Sequence, residues 1–285
     1  MSEAVTVNES SGGTFSLGGE VPVNRLGYGA MRITGPQIMG EPRDVGEARR
    51  VLLRAVELGV TFIDTAHAYG PLVSERLIGE TLAPYRDGTV IATKGGLHRN
   101  SSGAWLADGS PATLRAELEQ SLQLLRLETI DLYQLHTVDP GVPVSESVGA
   151  LAQMQREGLI KMIGVSNVDV DALRAAQGEA QIVSVQNRFS VGDGEPVLEV
   201  CEREGLAFIP WYPLRAGAVE SERRLGEVAA RLGATTFQVA LAWLLKRSAN
   251  MLPIPGTSTV PHLEENVAAA ALALSDDDFK AVGGA

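Results

Sequence analysis

The sequence predicts an α/β fold: a (β/α)8 TIM barrel with an N-terminal β-hairpin closing its bottom. Three observations carry this. Short apolar, β-branched runs recur eight times, at 25–29, 60–63, 89–93, 129–135, 160–165, 182–185, 206–210 and 251–254. The stretches between them have helical period and helix punctuation. Such alternation implies a parallel sheet, because parallel neighbours need a crossover. Eight units within 285 residues also fit one barrel of about 250 residues. The competing doubly wound sheet would open its first helix with GxGxxG. Here Leu26-Gly27-Tyr28-Gly29-Ala30 leads instead into the loop GPQIMGEPRD. No linker, long repeat or charge block divides the chain. Residues 1–285 are therefore read as one domain, with 1–13 as a tail.

The elements follow in order. TFSLGGEVPVN (14–24) reads as a hairpin with Gly18-Gly19 as its turn. Asp44 caps a helix, with Glu47 three residues on forming a capping box. Ala48, Val51, Leu52, Ala55 and Leu58 share its apolar face, and Gly59 ends it. Ser110-Pro111 starts another helix, with Leu114, Leu118, Leu122 and Leu125 as its stripe. Ser145 starts a third, ended by Gly158. Phe237, Ala240, Leu241, Trp243 and Leu244 line a helix near the end.

Composition narrows the function. Apolar residues make up 45% and charged residues 21%, as in ordinary globular chains. The net charge of −11 argues against nucleic acid as a partner, since phosphate binding needs surplus basic side chains. No apolar run approaches the roughly 18 residues of a membrane span. The polar start MSEAVTVNES does not read as a secretory signal. Cys201 is the single cysteine, which excludes an intramolecular disulfide and a cysteine-cluster zinc site. His67 follows Asp64 by three residues, but four histidines without a second ligand at helical spacing point to no metal. A cytoplasmic protein is expected.

In a barrel the chemistry lies at the carboxyl ends of the strands. The second run ends FIDTAHAYG, with Asp64 at its tip and Tyr69 after it. The third ends in Lys94 and the fourth in His136. The fifth ends in Ser166 and Asn167, the sixth in Gln186, the seventh in Trp211. The eighth ends in Gly256, Thr257 and Ser258. Each residue alone has a structural reading; together they would converge on one mouth. The chemistry of such a set is definite. A phenol's pKa of about 10 is too high for easy proton exchange at neutral pH, and a nearby Lys⁺ lowers it. A paired Asp holds that Lys charged. A neutral His can orient a carbonyl oxygen. Together they protonate an oxygen as charge develops on it. The hydride must come from a cofactor.

FIDTAHAYG, IATKGG, LYQLH, IGVSN, VQN and IPGTS, in this order, resemble the signatures of the aldo-keto reductases across nearly the whole chain. VNRLGYGAMRITGP, PLRAG and LPIPGTSTVPHLEENVA are similar to a bacterial group in that family that includes pyridoxal reductases. The resemblance implies that Tyr69 donates the proton, Lys94 and Asp64 tune it, and His136 orients the carbonyl. It implies Ser166, Asn167 and Gln186 at the nicotinamide carboxamide, and Trp211 stacked on the ring in place of the usual Tyr. Pro213, Leu214 and Gly217 fall on the pyrophosphate side, with Glu265 and Asn266 at adenine. Gly29, Ala30, Met31, Asp64, Ile254, Gly256, Thr257, Ser258 and His262 complete the implied cofactor contacts. NADPH/NADP⁺ is the implied cofactor, with NADH open. Gly256 and His262 stand where many members place Lys and Arg around the 2′-phosphate. Thr257, Ser258, Thr259 and the free N–H groups of the following helix are the expected replacement.

Met31, Trp105, Phe189 and Trp211 are expected to wall the substrate site, with the loop 95–111 closing the mouth in place of a longer C-terminal tail. Arg32 and Arg215 are read as solvated arginines or cofactor-phosphate contacts, with an anionic substrate group as the alternative. The expected partner is a small-molecule carbonyl compound, pyridoxal first, and the expected state is a monomer. Two other readings compete: a Schiff-base aldolase using Lys94, which needs a depressed lysine pKa, and a catalytically weak NADP(H)-binding redox sensor.

Overall fold

A computed structural model describes residues 12–100, 102–191, 196–212 and 219–283. The chain opens with an antiparallel hairpin, β1 (Thr14–Leu17) and β2 (Val21–Asn24). Gly18 (φ +59°) and Gly19 (φ +82°) take left-handed turn conformations that only glycine adopts freely. Strands and helices then alternate: β3 (Tyr28–Gly29), α1 (Val45–Glu57), β4 (Phe62–Asp64), α2 (Val73–Leu82) and β5 (Val90–Gly95). A second hairpin follows, β6 (Leu97–Arg99) and β7 (Trp105–Ala107), within the segment read as a loop. Alternation resumes with α3 (Pro111–Leu125), β8 (Ile130–Leu135), α4 (Val144–Arg156), β9 (Ile160–Ser166), α5 (Val170–Gln177), β10 (Ile182–Gln186), α6 (Pro196–Glu204) and β11 (Ala207–Phe208). The helices α7 (Val219–Leu232), α8 (Thr236–Arg247), α9 (Val260–Ala268) and α10 (Asp276–Gly283) complete the described chain.

The sheet order is β3-β4-β5-β8-β9-β10-β11, with every neighbouring pair parallel. The expected eighth strand at 251–254 is not a regular strand, yet it closes the barrel. Leu252 N–H donates to Phe208 O at 2.9 Å, and Gly27 N–H donates to Pro253 O at 2.9 Å. Pro253 and Pro255 have no N–H to give, so the segment bridges β11 and β3 without a full ladder.

Side chains of the strands alternate between the barrel interior and the helices. Val90 and Ala92 of β5 point inward with Phe62, Leu132, Met162, Val183 and Ile209, while Ile91 joins the layer under the helices. Leu17 and Val23 of the first hairpin pack into the inward group, so the hairpin plugs the amino end of the barrel as expected. Gly12 and Gly13, read as tail, are held by Arg25: its Nη1 donates to Gly12 O at 3.2 Å and its N–H to Gly13 O at 3.0 Å.

Helix punctuation agrees with the sequence, with two corrections. Asp44 accepts Glu47 N–H at 2.8 Å and Ser110 accepts Thr113 N–H at 3.4 Å. The Glu47 carboxylate does not complete a capping box. It reaches Arg50 and the Val260 N–H instead, because α9 packs beside α1. α4 begins at Val144 behind Pro143, one residue before the expected Ser145. Among the described residues no single helix is long and apolar enough to cross a membrane.

Candidate active site

At the carboxyl end of the barrel a cavity of about 570 Å³ opens. Strand register puts the tips side by side: Asp64 pairs with Gly29 and Ala92, Lys94 with Gln134, and Gln186 with Ser166. Lys94 continues the inward set of Val90 and Ala92, so its ammonium enters the barrel mouth. It is fully buried, and a buried ammonium requires partners. They are Asp64 Oδ2 at 2.7 Å and Thr65 O at 2.7 Å. Asp64 Oδ1 accepts from Gln186 Nε2 at 2.9 Å and Gln134 Nε2 at 3.4 Å. Tyr69 brings its ring centroid to 5.2 Å from Lys94 Nζ and 5.9 Å, edge-on, from the His136 ring. Asp64, Tyr69, Lys94 and His136 are thus one cluster.

The electrostatics of the cluster are set by burial and by the one cation. Burial lowers the Lys94 pKa, but the Asp64 carboxylate and then Tyr69 outweigh it and hold the ammonium above its ordinary value. Burial raises the Tyr69 phenol; Lys94 pulls it down and Asp64 pushes it up. The net is upward, opposite to the expectation drawn from Lys94 alone, because burial exceeds the attraction of the cation. Tyr69 therefore carries its proton at neutral pH. Burial and the Lys94 charge push His136 well below its ordinary value, so the imidazole is neutral. A charged Lys94 is the wrong state for a Schiff-base nucleophile.

The remaining expectations divide by place. Gly29, Met31, Ser166, Asn167, Gln186, Trp211, Ile254 and Gly256 line the cavity. Asn167 sits at φ +56° and donates its side-chain amide to His136 O at 3.0 Å, which locks the β9 tip to the β8 tip. Trp211 presents an exposed aromatic face at the rim. Ala30 lies behind the wall, buried beneath Ser74. Thr257, Ser258, His262, Glu265 and Asn266 lie beyond Gly256, on the turn into α9 and on that helix. Pro213, Leu214, Arg215 and Gly217 fall outside the described residues.

Gly256 has a steric cause: a Cβ there would sit 2.7 Å from Gly29 O, so no lysine side chain fits at this position without a backbone shift. Two of the expected free N–H groups at the start of α9 already have acceptors. Val260 N–H donates to Glu47 Oε1 at 3.0 Å and Thr259 N–H to Thr257 Oγ1 at 3.3 Å.

Of the four expected wall residues, Met31, Trp105 and Trp211 line the cavity. Phe189 does not. It is 1% exposed and packs between Phe208 and Trp243 in the core, because the backbone after β10 turns it away from the mouth. The β6–β7 hairpin lays Trp105 over the site, 6.4 Å edge-on from His136, with the Arg99 guanidinium 4.1 Å from its ring centroid. Arg99 also donates to Gln37 O at 3.1 Å, tying the hairpin to the loop before α1. Leu97, Tyr212, Phe237 and Leu241 complete the walls and were not anticipated as site residues. Phe237 and Leu241 belong to the α8 stripe, whose helical period signals burial but not which void it faces. Arg32 is at the rim.

Comparison with known proteins agrees with this arrangement. A profile of the Aldo/keto reductase family matches residues 25–285. An uncharacterized oxidoreductase of Schizosaccharomyces pombe is 48% identical over 276 residues, 96% of this chain and 90% of that one. Pyridoxine 4-dehydrogenase of Escherichia coli is 43% identical over 282 residues, 96% of this chain and 98% of that one. An aldo-keto reductase from Klebsiella pneumoniae, solved in complex with NADPH, superposes with a TM-score of 0.77 at 27% identity, covering 94% of this chain and 93% of that one. A closed parallel barrel, a buried Lys94–Asp64 pair at its mouth and a family match spanning both place this chain in the aldo/keto reductase family, as an oxidoreductase.

Proposed function

We propose that the protein reduces an aldehyde or ketone to the alcohol with NADPH, that Tyr69 donates the proton, and that pyridoxal is its substrate. The observation that carries the reading is the cluster itself: a proton-bearing Tyr69 and a neutral His136 on the cavity wall, beside a charged, carboxylate-paired Lys94 buried behind them. The residues around it suit a dinucleotide. Ser166, Asn167 and Gln186 offer amide and hydroxyl edges, Trp211 an exposed aromatic face, and Gly29 and Gly256 an approach free of side chains. When bound, NADPH supplies a hydride. His136 hydrogen-bonds the carbonyl oxygen and orients it. Tyr69 gives its proton to that oxygen as negative charge grows there, and the Lys94 ammonium stabilises the phenolate left behind. Asp64 keeps Lys94 charged through the cycle. The aromatic and apolar walls from Met31, Trp105, Trp211 and Tyr212 favour a flat ring over a polyol. The Escherichia coli relative's name supports a vitamin B6 substrate, and the Klebsiella pneumoniae structure supports NADPH. We read the protein as cytoplasmic and acting without nucleic acid or membrane.

The test is nicotinamide absorbance with NADPH or NADH, and pyridoxal beside an activated benzaldehyde. The expected result is NADPH oxidation, faster with pyridoxal. Activity only with the benzaldehyde removes pyridoxal; no oxidation with either cofactor removes the reading. Tyr69→Phe is expected to lower kcat by roughly 10³-fold or more while NADPH affinity stays within about twofold, since the phenol acts in the chemical step. Equal loss of cofactor binding contradicts that role.

A further inference from the structure

The outer face of β5 carries a second polar cluster that the chemistry above does not use. Glu117 of α3 is 6% exposed. Its Oε2 accepts the Gly96 backbone N–H at 2.6 Å, and its Oε1 lies 3.4 Å from His67 Nδ1. His67 Nε2 lies 2.9 Å from Gln120 Oε1, one turn further along α3. The His67 N–H donates to Lys94 O at 3.1 Å, and the His67 carbonyl accepts the Leu72 N–H at 3.0 Å. The His67 backbone and the Glu117 carboxylate therefore hold the two ends of the three residues 94–96.

That short segment touches the rest of the site. Gly95 O accepts the His136 N–H at 2.8 Å, and Gly96 O accepts the Asp108 N–H at 3.1 Å, at the far foot of the hairpin bearing Trp105. Gly95 is a glycine for this contact: a Cβ would lie 2.9 Å from Glu117 Oε2 and 2.1 Å from the Tyr133 hydroxyl. The backbones of Lys94 and His136 are thus tied to a segment that the Glu117 carboxylate holds at Gly96. His67 Nδ1 is itself buried and lacks a well-formed hydrogen bond. Such an atom facing a carboxylate oxygen invites a proton between them, because a buried unpaired polar atom is costly.

We propose that Glu117 and His67 are positioning residues of the reductase site: a proton held between Glu117 Oε1 and His67 Nδ1 sets the grip on Gly96, and its loss draws the Trp105 hairpin closer over His136. The ionised carboxylate makes the stronger, charge-assisted bond to the Gly96 N–H. Other groups face the pair from each packed element. Glu75 comes from α2, His98 from β6, Asp108 from the segment after β7 and Tyr133 from β8. Burial pushes the Glu117 carboxyl up to about 7, against the pull of the Gly96 bond and His98 and with the push of Asp108. The switch therefore falls near neutral pH.

The proposal rests on the reductase reading only in its kinetic arm. The spectroscopic arm follows Trp105 fluorescence, taken as the difference between the full chain and its Trp105→Phe variant, on both sides of the Glu117 titration. His136 stays neutral there and adds no signal. One inflection near pH 7 is expected, and Glu117→Gln abolishes it, since the amide keeps the Gly96 bond without an acidic proton. In the kinetic arm, KM for an aromatic aldehyde falls about fivefold across the inflection while kcat changes less than about twofold, as expected when a charge-assisted bond replaces a neutral one. Glu117→Gln keeps the low-pH KM throughout. If that variant does not fold by circular dichroism, Glu117→Met, which also removes the titrating carboxyl, takes its place with the same expected loss of the inflection. No inflection in the wild type overturns the proposal. So does an inflection that survives Glu117→Gln and disappears in His98→Gln. If no aldehyde turns over while the fluorescence behaves as expected, the reductase reading fails and the clamp stands.

Discussion

Strand β5 separates two buried carboxylate sites that meet opposite fates. On its inner face Asp64 lies 2.7 Å from a lysine ammonium. On its outer face Glu75 and Glu117 have no ammonium or guanidinium partner among the described residues. Thr93 Oγ1 donates to Glu75 Oε1 at 2.5 Å, and a backbone N–H serves Glu117. Burial raises both outer groups, Glu117 to about 7. The two faces are equally dry; what differs is the residue at each alternation position. Lys94 points in, while Thr93 and Gly95 point out. A charge survives burial where an opposite charge is in contact, and elsewhere the group takes up a proton. The inner face is thereby a fixed dipole for chemistry, and the outer face an adjustable support.

The largest effect is expected from breaking the inner pair. Lys94→Met leaves Asp64 buried with only amide donors, which should cost about 3–5 kcal/mol in denaturant unfolding and remove turnover. Asp64→Asn in the same background should recover much of that stability but none of the activity. If it recovers none, the inner site is held by packing and not by charge.

The outer face should respond with the opposite sign. The Glu117 pKa is raised from 4.5 to about 7 in the folded protein. Its contribution is therefore fully present below about pH 4.5 and lost as pH rises through 7. Glu117→Gln should leave stability near its low-pH value and raise it at pH 8 by about 2–3 kcal/mol, or a Tm gain of roughly 3–5 °C. A Tm difference independent of pH would show that ionisation is not the cause. The smallest effect is expected at Glu75→Gln. The amide oxygen can still accept from Thr93, so stability at pH 7 should change by less than about 1 kcal/mol. A large loss there would mean that Glu75 is ionised and the two faces are more alike than their partners suggest.

Outside this comparison, Trp211→Ala should weaken NADPH binding about tenfold if the indole stacks on the ring, read by cofactor fluorescence. Unchanged affinity would assign the exposed face to substrate alone.

Much of the site was legible in the linear chain because strand tips are legible. Asp64, Lys94, His136, Ser166 and Gln186 each follow an apolar run, and a barrel brings such positions to one end. The helix caps at Asp44 and Ser110 were legible because they act over three residues. Phe189 was misplaced because proximity to a tip does not reveal where the next turn aims a side chain. The closing segment near 251–255 looked like a strand because its apolar pattern speaks of burial, while its two prolines limit the ladder. His67 and Glu117 are 50 positions apart in sequence. Only the packing of α3 against β5 makes them a pair.

The sequence by itself determined the period, the caps and the order of strand tips, hence the barrel, the family and the four residues of the inner cluster. Those are local properties or follow from alternation. The tertiary structure alone decided which buried carboxylates keep a charge, why position 256 admits no side chain, and which aromatic residues face the cavity. Each of these depends on distances between segments far apart in the chain, where a shift of an ångström exchanges contact for clash or a paired charge for a lone one.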